Sequence, residues 1–206
     1  MFASIGCFAS IDTLTVAPFT VIGDSDNAEI YRYGLPEAIA NNLSRLPGFT
    51  VVERIRLSEV LQEIALSQSG LIDEKNATVI GEMLGAKLIL VGTVQKAEKD
   101  VRVFVRGVEV ISGKVVFSIK AEQQIKKFND IFKLQDIIAV KTASRLGMEN
   151  MDDELAQTEE STMPEDAFRL YSSGFKCLDS GDYTKALKNF RQAANIDTNF
   201  SLTDRI

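Results

Sequence analysis

A chain of 206 residues with 45% hydrophobic and 25% charged side chains is long enough to bury one ordinary core and still leave room for a small appendage. Its formal net charge of -6 supplies no summed positive field for nucleic acid or anionic lipid, so binding to either needs a local basic patch. The complete lack of histidine removes the commonest general base and the commonest metal ligand together, which excludes histidine-based triads and histidine metal sites.

The two cysteines, Cys7 and Cys177, form no CxxC pair and no metal-ligand spacing, and they are too few for a disulfide framework. Cys7 ends the stretch FASIGC, where small residues precede the cysteine much as they do at a bacterial lipoprotein cleavage site. Ser4 stands where leucine is usual, and the apolar stretch from Met1 to Gly6 is too short for a complete signal peptide. Two readings stand: residues 1–11 are the stump of a leader whose Cys7 carries a lipid anchor, or they begin an ordinary first strand. No run approaches the roughly 18 consecutive apolar residues of a transmembrane helix.

Along the chain, residues 12–19 (DTLTVAPF) alternate and predict a first strand, and residues 23–28, with Asp24 and Asp26, a solvated polar loop. Ile30, Leu35, Ile39, Leu43 and Leu46 recur at helical spacing and predict one helix over 29–46, stopped by Pro47 and Gly48. A β-branched run at 49–52 predicts a buried strand, and Leu57, Val60, Leu61 and Ile64 lie on one face of the next helix. Glu53 and Arg54 therefore occupy a strand-to-helix junction. Ser69 and Gly70 end that helix, and 76–84 predicts a short one ending at Gly85, a good position for a helix C-terminus. The apolar run LILVGTV, 88–94, fits a strand covered on both faces. Residues 101–111 and 115–124 predict a hairpin across Ser112 and Gly113, and Ile131, Leu134, Ile138 and Leu146 predict a closing helix over 131–146. The order is that of an α/β (α+β) fold, a mixed sheet flanked by helices.

Residues 148–164 are acidic and read as a linker. After them, Leu170, Gly174, Gly181, Tyr183, Ala186, Phe190, Ala193 and Phe200 fall at the spacing of a tetratricopeptide repeat. Small residues sit where two helices approach and large ones where the groove is filled, while Thr198 departs from the proline usual there. Residues 165–200 thus resemble a single repeat of α-helical hairpin type, followed by a tail at 201–206. One such unit cannot bury its own face, so it must dock on the first domain, on a second copy, or on further repeats.

The blocks VVERIRLSEVLQE, LSQSGLID, IGEMLGAKLILVGTV and GVEVISGKVVFS occur in the order found in the curli-secretion channel (CsgG-like) family. Its relatives include FlgO-type flagellar proteins and lipoprotein activators of penicillin-binding proteins. The likeness covers residues 12–147 and implies a periplasmic, outer-membrane-anchored envelope lipoprotein that acts through protein contacts and not chemistry. One departure matters: the curli channel inserts long membrane-crossing hairpins, whereas residues 95–100 (QKAEKD) and Ser112-Gly113 are tight connections here, so pore formation does not follow.

A catalytic Glu53 would want a second acid, a histidine or a metal ligand beside it, whereas Arg54 and Arg56 point to an ionised structural carboxylate that accepts from the helix start or pairs with an arginine. Gly81 and Gly85 sit at helical positions, so there is no glycine-rich phosphate loop. Arg102, Arg106, Lys114, Lys120, Lys126 and Lys127 make the hairpin region locally basic, either as a charged edge that discourages strand addition or as a docking face for an acidic partner or glycan. Two function classes follow. One is a non-enzymatic assembly factor whose partners are envelope proteins or a second copy of the chain, with no nucleic acid, no cofactor, and membrane contact only through a lipid anchor. The other is a small-ligand sensor using the crevice at the carboxyl ends of the strands.

Overall fold

A computed structural model describes residues 13–23, 27–46, 48–64, 74–148 and 163–197. Cys7, Asp24, Asp26, Pro47, Ser69, Gly70, Thr198, Phe200 and the tail at 201–206 lie outside the described residues, as does the linker from 149 to 162. Six strands form one mixed sheet: β1 (Thr13–Val16), β2 (Thr20–Gly23), β3 (Thr50–Val51), β4 (Leu88–Ala97), β5 (Asp100–Glu109) and β6 (Lys114–Gln124). Their order is β3-β1-β4-β5-β6, with β2 also pairing along β4. The helices are α1 (Leu35–Ser44), α2 (Arg54–Glu63), α3 (Glu74–Leu84), α4 (Asp130–Arg145), α5 (Glu165–Asp179) and α6 (Tyr183–Ile196).

Three elements differ from the sequence expectation, the first being the strand over 49–52, expected to be buried but present as the two-residue, partly exposed β3 at the edge of the sheet. The first strand bends at Ala17, Pro18 and Phe19 and then resumes as Thr20–Gly23, so strand structure reaches Gly23, where the loop was expected to begin. The bend has a local cause: Pro18 has no N–H to give the ladder. Its neighbours find separate acceptors, Ala17 on the Leu90 carbonyl at 2.9 Å and Phe19 on the Arg32 carbonyl at 3.0 Å. The helix expected over 29–46 begins instead as a π-helical turn, Ile30–Gly34, before α1 takes over. That wider turn buries Ile30, Tyr31 and Tyr33 together, which a 3.6-residue pattern alone does not specify.

β4 is the central strand, and its continuous apolar run is used on both faces as expected. Leu88 and Leu90 join Leu14, Val103, Ile119, Leu35 and Ile138 in a core between the sheet and α1 with α4. Ile89 and Val91 join Leu57, Leu61, Ile80, Leu84 and Val108 in a second core beneath α2 and α3. β4 and β5 are antiparallel and joined only by Glu98 and Lys99, and β5 reaches β6 through residues 110–113, so neither connection carries an inserted hairpin.

α5 and α6 form the expected helical hairpin, and of the three resting places open to it, it takes the first domain. The larger core runs without a break into it through Phe128, Phe132, Phe168, Tyr171, Phe175 and Phe190. Phe132 and Phe168 meet edge to face with centroids 5.6 Å apart, as do Tyr171 and Phe175 at 4.6 Å, and the tilted pair of Phe168 and Tyr171 at 6.3 Å joins them. Each such pair adds about 0.5–1.5 kcal/mol beyond burial. Ala186, Phe190 and Ala193 form the buried stripe of α6, and Phe190 lies over Gly174 of α5.

A side-chain carbon added at Gly174 would fall 2.4 Å from the Phe190 ring. Gly174→Val is therefore expected to destabilise the chain by about 1–3 kcal/mol, the usual penalty of overpacking. Urea unfolding followed by circular dichroism measures it, and an unchanged midpoint would show that the two helices part without penalty.

Candidate functional site

The hairpin is tied to the sheet domain through the junction that the sequence singled out. Arg54 opens α2, is only 7% exposed, and donates through Nη2 to both carboxylate oxygens of Asp179 at 2.9 and 2.8 Å. Ser58 stands one turn further on the same helix face and donates to Asp179 Oδ1 at 2.7 Å. Glu37 of α1 lies 3.8 Å from Arg54 Nε, and the guanidinium sits 5.5 Å from the centre of the Phe175 ring.

The carboxylate that Arg54 holds is thus Asp179, and Glu53 plays a smaller part than expected. Glu53 supplies the extended backbone that starts α2 (φ -58, ψ 138), but its exposed side chain makes no capping hydrogen bond. Asp179 is the last residue of α5, where the helix dipole opposes a negative charge, so burying a carboxylate there requires the compensation that Arg54 and Ser58 give. Nothing in the local sequence links residues 54 and 179. The available signal was Asp179 itself, an acid at the wrong end of an amphipathic helix.

Around this pair the seam is continuous. Gln62 Nε2 donates to the Leu178 carbonyl at 2.7 Å, and Ser173 and Lys176 donate to Glu29 at 2.7 and 2.5 Å. Burial works to raise the Glu29 pKa, but the bonds from Lys176 and Ser173 outweigh it and leave the carboxyl below its ordinary value. A side-chain carbon on Gly34 would fall 2.2 Å from Ser172 Oγ, so glycine in the π-helical turn lets α5 approach. Tyr183, at the start of α6, reaches the seam with its hydroxyl 3.4 Å from Gln62 Oε1.

A second surface lies on the sheet. α2 and α3 cover only the stretch of β4 around Ile89 and Val91, so further along, the same face is open. Alternation brings Arg102, Phe104 and Arg106 of β5 onto it, opposite Glu122, Lys120 and Ser118 of β6, with Ile22 of β2 52% exposed at its end. Glu122 takes bonds from Lys120 and Arg102, which hold its carboxyl below the ordinary range. Lys114 does not join this set: it stands opposite Glu109, beyond the irregularity at Gly107 and Val108, and alternation turns it to the other face. At the carboxyl ends of β2 and β4 the open face deepens into a groove of about 610 Å³, lined by Ile22, Gln95, Ala97, Arg102, Glu122 and Gln124 among others.

Removing one partner of the Arg54–Asp179 pair leaves a buried charge uncompensated. Arg54→Met should therefore cost about 3–5 kcal/mol of stability, and Arg54→Met with Asp179→Leu should recover much of that loss. A double-mutant cycle by urea unfolding measures both; a single-variant loss below about 1 kcal/mol, the exposed-pair range, would show that the pair is solvated. The Glu29 seam adds a pH effect. Because its folded pKa is depressed, its contribution is present above the unfolded value, near 4.5, and fades as pH falls through the folded one. Glu29→Gln should flatten the acid limb of stability against pH, and an unchanged limb would contradict this.

No curated protein matches the chain. Among solved structures it is similar to the LpoB C-terminal domain from Salmonella enterica, at 22% identity and a TM-score of 0.44 over 56% of this chain and 84% of that one. It is also similar to the lipoprotein GNA1162 from Neisseria meningitidis, at 16% identity and a TM-score of 0.42 over 71% and 97%. A third similar structure is the PelC dodecamer from Paraburkholderia phytofirmans, at 16% identity and a TM-score of 0.43 over 68% and 89%. The sequence pattern of the curli production assembly/transport component CsgG matches residues 12–128, more than half of the chain, and the protein belongs to that family.

Proposed function

We propose that this protein is a non-enzymatic assembly or adaptor module of the bacterial envelope, a lipoprotein anchored through Cys7 on the periplasmic side of the outer membrane. Membership of the CsgG family supports the envelope setting. The observation that carries the adaptor reading is the buried Arg54–Asp179 pair, which holds the helical hairpin at a fixed geometry on the sheet domain. A hairpin so fixed offers partners two surfaces in constant relation to each other.

The first surface is the open sheet face with Arg102, Arg106 and Lys120, read as a docking face for an envelope protein or a second copy of the chain. Ile22 and Phe104 give it apolar area, and the cations give it charge to steer an acidic partner. The second is the flank of α6 beside its buried stripe, where Leu187 and Tyr183, whose hydroxyl reaches the seam, are about half exposed, one turn apart. We read residues 165–200 as a single tetratricopeptide repeat that recruits a second protein there.

A small-ligand sensor is the second reading, and the groove beside Gln95 and Gln124 favours it. Its 610 Å³ falls within the roughly 300–1,000 Å³ of ligand pockets, but charged and amide groups make up much of its wall. Light scattering and thermal shift on the full chain separate the two. The adaptor reading expects a species heavier than a monomer, or a stable complex with an envelope protein, that weakens at least tenfold in the Arg102→Glu, Arg106→Glu double variant. A monomer that captures nothing, yet whose melting temperature rises with an uncharged metabolite and loses that rise in Gln95→Ala, would replace it with the sensor.

A further inference from the structure

A smaller crevice of about 180 Å³ lies where the sheet, the start of α4 and the start of α5 meet. Lys96, Lys126, Lys127 and Arg169 line it, against two carboxylates, Glu98 and Glu165, so an acidic chain has a locally cationic recess at this place. Arg169 is held by Glu165 and by the Asn27 side-chain oxygen. The ammonium groups of Lys126 and Lys127 are exposed and in no ion pair with a described residue, while their backbone N–H groups both donate to Asp130 at 3.0 Å.

Tyr31 adds a neutral donor to this recess. It is 3% exposed as a residue and lines the crevice, and its hydroxyl is not among the buried polar atoms left without a partner, so the tip of the ring reaches the solvent of the crevice. A hydroxyl placed so is open to bond water or a ligand that enters the crevice. Burial pushes its pKa up to about 12, so at neutral pH it remains an O–H donor. Asn27 (φ 65) and Glu98 (φ 52), the two non-glycine residues with positive φ among those described, both line this recess. A positive φ is uncommon in residues other than glycine, though less so in asparagine.

We infer that the crevice between the sheet domain and the hairpin binds a phosphoryl group, with Tyr31, Lys126, Lys127 and Arg169 as its donors. A phosphoryl group presents three strong acceptor oxygens to donors arriving from several sides, whereas a single carboxylate presents two. The size agrees: with roughly 30 Å³ as the share of one water molecule, 180 Å³ admits one such group and its nearest waters. The site exists only while α5 is docked, since Arg169 belongs to the hairpin and the lysines to the sheet domain. It stands independently of the adaptor reading.

Phosphorus NMR of inorganic phosphate titrated with the full chain at low ionic strength tests it, with Tyr31→Phe and the exposed pair Lys126→Glu, Lys127→Glu as variants. Saturable binding is expected, weakened about tenfold by Tyr31→Phe, the worth of one hydrogen bond to a charged group, and lost in the lysine pair. Co-sedimentation with phosphatidylglycerol vesicles then separates the sources. Sedimentation abolished by the lysine pair identifies a lipid headgroup, and phosphate binding without sedimentation identifies a soluble phosphate. Absence of saturable phosphate binding, or binding that survives both variants, overturns the inference whatever the vesicles do.

Discussion

The contact between Arg54 and Asp179 sets how the rest of the chain is read. A guanidinium and a carboxylate taken out of water together are stable only if their geometry is good and the remaining donors and acceptors are met. Here the carboxylate is held by two bonds from Arg54 Nη2 and by Ser58, and the ring of Phe175 lies beside the cation, while the buried Arg54 Nη1 has no hydrogen-bond partner among the described residues. The pair contributes less through net attraction than through the cost of any arrangement that separates it. A hairpin displaced by a few ångströms would bury two lone charges, so the hairpin has one seat. The aromatic ladder from Phe128 to Phe190 supplies the adhesion, and the ion pair supplies the register.

That division explains why a helical hairpin that cannot bury its own inner face is stable here. Its inner face is consumed by the first domain, which leaves the flank of α6 and the open half of the sheet as the surfaces that remain. Covering β4 fully on one face and only partly on the other is what creates the second of these. Charge covers the open face: Glu122 pairs with both Arg102 and Lys120, which leaves the group net positive, and Lys141 Nζ caps the outward carbonyl of Lys120 at 2.8 Å on the edge strand.

Much of the architecture was legible in the sequence because its signals are local. The alternation in β5, the continuous apolar run of β4, and the spacing of Leu57 and Leu61 each reflect one element meeting one layer of core. The tie between the domain and the hairpin was not legible, because Arg54 and Asp179 are far apart in the chain and each reads locally as an ordinary surface charge. Glu53 drew attention for its position beside a strand end, yet position alone does not tell whether a side chain turns inward, and Arg54, the next residue, is the one that does. The π-helical turn at 30–34 was hidden for a related reason: Ile30, Tyr31 and Tyr33 are set by what they bury against and not by a repeat. The basic residues of the hairpin were legible as a group, but the irregularity at Gly107 and Val108, which sends Lys114 away from Arg102 and Arg106, was not.

The central claim is that domain and hairpin form one cooperative body. Native-state hydrogen exchange of the full chain tests it most directly. Amides in the middle of α5 and α6 should exchange with the same opening free energy as those of β4, because the hairpin cannot leave its seat without exposing the buried pair and the shared core. Hairpin amides that exchange several kcal/mol more readily than β4, with their own dependence on denaturant, would show two separately folding parts and would contradict the account.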